Sequence, residues 1–145
     1  MNIASLVSST VFEHGTRNPF NICKARNIEV EFHSLLLVRG YHKIDDGHFF
    51  IVLSDALSEL ASKFVCAHEL GHCFLHKRIN RVFLDGATHL NTSRYETEAD
   101  KFAAHLIFGD APMFKAPYTD HDMADMLNVP IYQVEERLSN LGIYY

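Results

Sequence analysis

The sequence has little of what secreted disulfide-rich or membrane-spanning proteins need. It contains only three cysteines, an odd number that fits the reduced, buried thiols of a cytosolic protein better than a disulfide framework. It has no run of about 18 apolar residues, which excludes a membrane-spanning protease. The first residues have neither a basic start nor a long apolar stretch, so we expect no signal peptide.

Basic residues are also scarce. Lys and Arg number 13 against 18 Asp and Glu, a net charge of −5, and no basic cluster stands out. Because nucleic-acid binding depends largely on neutralising phosphates, this charge disfavours direct binding to DNA or RNA. The 145 residues, 48% of them hydrophobic, can bury one sizeable core. We expect a single domain over residues 1–145, with 119–145 as a helical segment packed on it.

The chemistry of the chain centres on residues 64–76, FVCAHELGHCFLH. Their apolar pattern predicts a largely buried helix. In such a helix His68 and His72 stand one turn apart on one face, so two imidazole nitrogens can meet a single metal ion. Glu69 lies one residue further round the axis, where it is better placed as a general base than as a ligand. The sequence therefore predicts a zinc hydrolase site.

A hydrolytic zinc site needs a third protein ligand and an open position for water. The next predicted helix, which starts near Asn91, offers Glu96 and Asp100 four residues apart on one face. Glu96 could bind the metal while Asp100 accepts the second ring N–H of one histidine. Two alternatives stay open: Glu98 could be the ligand, or Ser93 and Glu96 could form a capping box at the start of the helix.

The rest of the pattern predicts an α+β fold, in which a small antiparallel sheet precedes the metal helix. The strand His48–Leu53, taken as an edge, could hold an extended substrate as an added strand, and the alternative is a substrate loop held only by side-chain pockets. The predicted elements are helices over 2–14 and 18–26, strands over 28–32, 35–44 and 48–53, the metal helix entered from Ser54 or Ser58, a short strand or loop at Val82–Leu84 with a turn after it, a helix over 91–109, and helices over 120–127 and 130–140.

Several other residues are weaker candidates for a part in the site. His76 continues the stripe of the two histidines but drifts round the helix axis, which favours a packed residue or a partner of a ligand over a ligand. Cys73 is either a redox-sensitive thiol or, as its apolar surroundings favour, a small buried side chain. The residues that could stabilise the oxyanion of a tetrahedral intermediate are Tyr95, His89, His105, Tyr118 and His121, and the sequence does not choose among them.

Most of the chain resembles the ImmA/IrrE family of zinc metallopeptidases. The resemblance rests on NPFNICKARNIEV, a Gly-Tyr and hairpin segment, FVCAHELGHCFLH, YETEADKFAAHLIF and the ending MADMLNVPIYQVEERLSNLGI. It implies a zincin-like fold in which the sheet packs on the metal helix and on the helix that carries the third ligand. The site that it implies has His68, His72 and Glu96 as zinc ligands, Glu69 as general base, and Asp100 as a hydrogen-bond partner of a ligand.

Small members of this family, from prophages and integrative elements, are encoded beside a helix-turn-helix repressor that they cleave. The resemblance therefore implies a cytoplasmic zinc metallo-endopeptidase that relieves repression of a mobile element, without contact with a membrane or directly with nucleic acid. One departure concerns residues 106–112, LIFGDAP, where the family usually has a Leu-Leu-Met-Pro type of string. It bears on the cleft wall after Ile107 and not on the metal ligands.

Two rival functions remain. Residues 120–141 have the helix, turn and helix of a DNA-binding motif, yet residues 119–145 contain five acidic residues against Arg137 alone, a net charge of −4. We therefore interpret this segment as packing on the core or docking the repressor. The other rival is a non-catalytic module that binds the repressor and uses zinc structurally, which would require a fourth Cys or His ligand. Cys66 and Cys73 lie off the face of the two histidines and do not fit that requirement.

Overall fold

The computed structural model describes residues 2–76, 89–109 and 118–143. The predicted short strand at Val82–Leu84, the turn after it and the loop over 110–117 lie outside the described residues. Across those that are described, six α-helices and three strands form an α+β fold. None of the described helices combines the length and the apolar character that crossing a membrane requires.

Two short helices open the chain, and each is capped by an asparagine side chain. Helix α1, Ile3–His14, is capped by the side chain of Asn2 and ends at Gly15, which adopts the left-handed conformation with φ 67°. Helix α2, Pro19–Ala25, is capped by Asn18 and has its proline in the first turn, where no backbone N–H is needed. Both helices confirm the sequence predictions.

The sheet contains strands β1 (Glu29–His33), β2 (Gly40–Asp45) and β3 (His48–Ser54) in the order β1-β3-β2. Strand β3 pairs antiparallel with β2 but parallel with β1, so the predicted antiparallel sheet is wrong and the sheet is mixed. The physical reason is that the unbroken apolar run of β3 is buried on both faces, as in a central strand. The prediction that His48–Leu53 is an edge strand is therefore wrong as well.

Strand β2 begins at Gly40 and not at the predicted Leu35. The preceding apolar residues form a connection instead, in which Leu36 and Leu37 are each 96% exposed. At Gly40 the backbone approaches helix α3 so closely that an added Cβ would lie 2.8 Å from Cγ1 of Val65. The edge strand β2 thus packs directly on the helix that carries the predicted site.

Two long helices form the centre of the molecule. Helix α3, Glu59–His76, begins after Ser58, whose hydroxyl accepts a hydrogen bond from the N–H of the third helical residue at 3.0 Å. Helix α4 runs over His89–Phe108. The two helices meet at Gly71, where an added Cβ would lie 3.0 Å from Cβ of Phe102. This small residue allows the close approach on which the site depends.

The C-terminal helices also pack on the core. Helix α5, Asp120–Leu127, starts with a capping box formed by Thr119, and a 3-10 turn over Ile131–Gln133 leads into helix α6, Val134–Asn140. The last predicted helix therefore starts with a tighter turn than expected. The buried apolar side chains form one cluster to which these helices, α2, β3, α3 and α4 all contribute, and its members include Ile22, Ile51, Leu70, Phe102, Phe108, Met126 and Leu138.

Candidate metal centre

His68 and His72 project from the same side of α3, as the four-residue spacing predicts. Their ring centroids are 4.9 Å apart and their planes are inclined by 80°. His72 is 2% exposed, whereas His68 is partly open to solvent. The two rings face a cleft from a helix that is otherwise packed in the core, so their directions are fixed by packing.

Helix α4 brings Glu96 to both histidines. One carboxylate oxygen lies 2.9 Å from Nε2 of His68 and the other 3.1 Å from Nε2 of His72. The capping-box alternative is wrong, because the helix begins at His89 and Ser93 therefore lies within it. Glu96 is directed to the histidines and not back to the helix terminus.

The three side chains offer a donor set that suits a metal ion. One ligand atom each from His68, His72 and Glu96 lie within 4.8 Å of one another. Two imidazole nitrogens and one carboxylate oxygen are the ligands found in zinc hydrolase sites. Among the residues that the structure describes, no fourth histidine or cysteine joins this group, so the arrangement resembles an open site more than a closed structural one.

Asp100 lies behind His68, as the sequence predicts. Its Oδ1 accepts a hydrogen bond from Nδ1 of His68 at 2.8 Å, and its Oδ2 accepts one from Arg137 at 3.3 Å. Arg137 holds Asp100, and the hydrogen bond from His68 to Asp100 fixes the orientation of the imidazole so that its Nε2 points towards Glu96. A carboxylate behind a ligating histidine is the common way in which proteins hold such a ring.

The carboxylates shift the protonation of the cluster. Burial disfavours a charged His68, but the hydrogen bonds to Asp100 and Glu96 outweigh it and raise the pKa of His68 to about 10. Burial would raise the pKa of Glu96, yet its hydrogen bonds to the two histidines hold that pKa well below its usual range. A metal ion therefore competes with a proton for Nε2 of His68.

Glu69 is the third carboxylate near the histidines, and it is only 5% exposed. Its Oε2 lies 3.8 Å from Nε2 of His68, and its Oε1 accepts a hydrogen bond from Nδ1 of His42 at 2.8 Å. The ring of His42 is held in turn by stacking on Phe49, with centroids 5.0 Å apart and planes 9° from parallel. Glu69 is therefore positioned beside the cluster by a residue of the sheet.

Sequence reasoning missed His42. A weak signal was present, since alternation along a strand places His42 on the same face as Gly40, whose lack of a side chain allows the close packing on α3. The signal could not be used, because spacing along the chain does not show which face of the strand packs on α3.

His42, Glu69 and His72 form a second group of possible ligand atoms within 4.8 Å of one another. This group shares His72 with the first. The two nitrogens of His72 face Glu96 at 3.1 Å and His76 at 2.9 Å, so this ring belongs to the first group. We therefore assign His42 to Glu69 and not to a second metal ion.

His76 and Glu98 lie on the far side of His72. The ring of His76 is 5% exposed, its Nδ1 is 2.9 Å from Nδ1 of His72, and its Nε2 donates to Oε1 of Glu98 at 3.0 Å. Burial lowers the pKa of His76. His76 is thus a partner of a predicted ligand, in agreement with the sequence prediction, and Glu98 is turned to His76 and away from the cluster.

The cluster opens into a cleft of about 550 Å³. The end of the connection and the start of β2, residues 38–42, form one wall, while Leu127, Asn128 and Arg137 from the C-terminal helices form part of the other. The side chain of His89 lies outside the described part of the structure. The other predicted oxyanion candidates, Tyr95, His105, Tyr118 and His121, are absent from the described lining.

Comparisons with known proteins match most of the chain. The Peptidase_M78 family, described as the IrrE N-terminal-like domain, matches residues 23–139. The chain is 33% identical over 134 residues to "Uncharacterized immunity region protein 2" of Bacillus phage phi105, with 88% of this chain and 84% of that protein covered. It is 31% identical over 145 residues to "Metallopeptidase ImmA" of Bacillus subtilis (strain 168), with 95% of this chain and 85% of that protein covered.

The matched region includes the whole sheet, the metal-site helices and most of the C-terminal helices. The similarity to both relatives extends over more than four fifths of each protein. The chain therefore belongs to the ImmA/IrrE family of metallopeptidases.

Proposed function

We propose that this protein is a zinc-dependent metallo-endopeptidase of one domain, which cleaves a helix-turn-helix repressor of a mobile element in the cytoplasm and so relieves repression. The observation that supports the chemistry best is the bridging of His68 and His72 by Glu96, with Glu69 beside them. The relatives support the biological setting, since one is named for a phage immunity region and the other as a metallopeptidase.

Zinc would be held by Nε2 of His68, Nε2 of His72 and the carboxylate of Glu96. When bound, it supplies positive charge that polarises a peptide carbonyl and makes water more acidic. Asp100 keeps the His68 ring in place through the hydrogen bond at its other nitrogen. The rest of the reaction depends on the acid and base groups of the chain itself.

Glu69 is the proposed general base. Its Oε1 is engaged by His42, so its Oε2, which faces His68, is the oxygen that takes a proton from the attacking water. The same carboxyl group then gives this proton to the nitrogen of the departing amine. The hydrogen bond from His42 holds the carboxylate in one orientation through both transfers.

The edge of the sheet offers a place for the substrate. Strand β2 is an edge strand among the described elements, and its first residues line the cleft. An extended segment of the substrate can add to this edge by backbone hydrogen bonds, which suits a peptide of varied sequence. We therefore propose that the substrate binds along β2 and not, as the sequence predicted, along β3, which is the central strand.

The non-catalytic alternative lacks support from the cysteines. The hydrogen bond with Cys23, at 3.9 Å between sulfurs, and burial raise the pKa of the Cys66 thiol well above its ordinary value, so the thiol stays protonated. A metal would require the thiolate. Cys73 is buried and does not line the cleft among the described residues.

The proposal is tested by co-expressing the protein in a bacterial host with candidate helix-turn-helix repressors, and by following the size of each repressor. We expect cleavage with the wild-type protein and at least about a 100-fold slower cleavage with Glu69→Gln, because a general base contributes about 10²- to 10⁴-fold to such rates. Glu69→Gln should still bind one zinc ion, since its ligands are intact.

The controls separate the alternatives. The Glu29→Gln variant, at an exposed position of β1 away from the described cleft lining, should cleave like the wild type. Cleavage by Glu69→Gln at the wild-type rate would remove Glu69 from its role. Relief of repression by Glu69→Gln with an intact repressor would favour the binding module over the peptidase.

A further inference from the structure

The proposed metal site leaves one question that its three ligands do not answer, which is what holds His72 in the correct tautomer. His68 has Asp100 behind it, at 2.8 Å from its Nδ1. His72 has no carboxylate in that place. Its Nδ1 faces another imidazole nitrogen, Nδ1 of His76, at 2.9 Å.

Two imidazole nitrogens at this distance share one proton. One nitrogen must donate and the other must accept, because two lone pairs or two N–H groups facing each other would repel. If Nδ1 of His72 carries the proton, its Nε2 has a lone pair for the metal. If Nδ1 of His76 carries it, the neutral His72 ring has its proton on Nε2, and the ligand is lost.

Glu98 decides between these states. Its Oε1 lies 3.0 Å from Nε2 of His76, and an ionised carboxylate can only accept, so Nε2 of His76 carries a proton. A neutral imidazole that carries its proton on Nε2 has its lone pair on Nδ1. His72 must therefore donate from Nδ1, and its Nε2 is free of a proton.

The surroundings restrict both rings to this arrangement. His72 is 2% exposed and His76 is 5% exposed, so solvent cannot readily replace either partner. The ring of Tyr95 contacts the His76 ring edge-on, with centroids 4.7 Å apart. His72 and His76 lie four residues apart on α3, which keeps the two rings on one side of the helix at a centroid distance of 5.0 Å.

We infer that His76 and Glu98 are positioning residues that act in series to hold His72 in the tautomer that binds the metal. This inference rests on the proposed metal site and adds a second support to it, separate from that of Asp100. The two ligands of α3 are thus supported differently. Asp100 contacts His68 directly, whereas Glu98 acts on His72 through His76.

Zinc affinity of the purified full-length protein, measured by competition with a chromophoric chelator, tests the inference. We expect His76→Leu and Glu98→Ala each to bind zinc about 10- to 100-fold more weakly than the wild type, the usual effect of losing such a partner. His76→Gln should recover most of this loss, because its amide can accept from His72 and donate to Glu98. Glu135→Ala, at an exposed position of α6, should leave the affinity unchanged.

A second measurement reports the tautomers directly. Two-bond ¹H–¹⁵N spectra of the imidazoles in the zinc-loaded wild type should show a protonated Nδ1 on His72 and a protonated Nε2 on His76. Circular dichroism melts of each variant show that affinities are compared between folded proteins. Because Glu98 is partly exposed, we expect Glu98→Ala to fold even if His76→Leu does not. The affinity of Glu98→Ala then tests the inference.

The outcomes distinguish this inference from the proposed function. A wild type that binds zinc, with His76→Leu and Glu98→Ala binding it equally well, overturns the role of His76 and Glu98 alone. A spectrum with the proton on Nδ1 of His76 overturns it as well. A wild type that binds no zinc overturns both.

Discussion

At the scale of the residue, the positions of single protons determine which histidine nitrogens are available to a metal. Nδ1 and Nε2 of His68 both face carboxylates, at 2.8 Å from Asp100 and 2.9 Å from Glu96, so the ring is stabilised in its doubly protonated form. This is why the pKa of His68 rises to about 10 although burial opposes it. In this form Nε2 of His68 donates its proton to Glu96, and the same Nε2 is the atom that would bind a metal.

Zinc binding at pH 7 is therefore expected to release about one proton from His68. The group is almost fully protonated at that pH because 7 lies far below a pKa of about 10, and the metal displaces the proton from Nε2. It follows that affinity should rise as the pH rises towards 10. Calorimetry in buffers with different ionisation enthalpies measures the number of protons released.

The Asp100→Asn variant is the comparison for this measurement. It removes the anionic partner of Nδ1, so the pKa of His68 should fall and fewer protons should be released at pH 7. Release of no proton by the wild type would show that His68 is neutral before zinc binds, contrary to the expectation.

The sequence could predict those site residues whose relation is local. His68, Glu69 and His72 lie within one turn of one helix, and Glu96 and Asp100 lie one turn apart on another, so helix geometry alone relates the members of each set. The structure brings all five together, and their roles stay predictions. His42 and the link from His76 to Glu98 depend on how separate elements pack, which spacing along the chain does not encode.

At the scale of the element, the separation of α3 and α4 sets the geometry of the cluster. The helices touch where Gly71 faces Phe102, and an added Cβ there would already lie 3.0 Å from Cβ of Phe102. Glu96 sits on α4, whereas both histidines sit on α3. A branched side chain at position 71 is therefore expected to push α4, and Glu96 with it, away from the histidines of α3.

Gly71→Val should weaken both stability and zinc binding. Overpacking of this contact is expected to lower the free energy of unfolding by about 1–3 kcal/mol. Zinc affinity should also fall, because the valine separates Glu96 from the histidines. Chemical denaturation and chelator competition measure the two effects.

Thr97→Val, at an exposed position of α4, is the matched control and should change the free energy of unfolding by no more than about 0.5 kcal/mol. A Gly71→Val protein with reduced stability but unchanged zinc affinity would show that the contact at Gly71 does not govern the position of Glu96.

The elements themselves were more predictable than their arrangement. Caps at Asn2, Asn18 and Thr119 mark the starts of their helices locally. The direction in which β1 pairs depends on a connection through β2, which is long-range. The apolar run in β3 is typical of a central strand, and together with the hairpin to β2 it would have given the correct order.

At the scale of the whole molecule, the C-terminal helices are tied to both the core and the cleft. Arg39, which precedes β2, donates hydrogen bonds to the carbonyls of Asp125 and Met126 at 3.1 and 3.2 Å. Ser58, at the start of α3, donates to the carboxylate of Asp125. The segment over 119–143 thus holds Arg39 of the cleft wall and the entry to helix α3.

Met126→Ala tests whether this segment and the rest of the chain unfold together. Met126 is fully buried in the shared hydrophobic cluster, so its truncation is expected to lower the free energy of unfolding by about 2–5 kcal/mol. If the chain is one domain, urea should expose the thiol of Cys23 on α2, far away in sequence, in the same transition that removes the helical circular dichroism signal. Tyr132→Ala, at an 80% exposed position of the same segment, should shift neither transition by more than about 0.5 kcal/mol. A helical signal that decreases before Cys23 reacts would instead show that the C-terminal helices unfold as a separate unit, and the single-domain proposal would then fail.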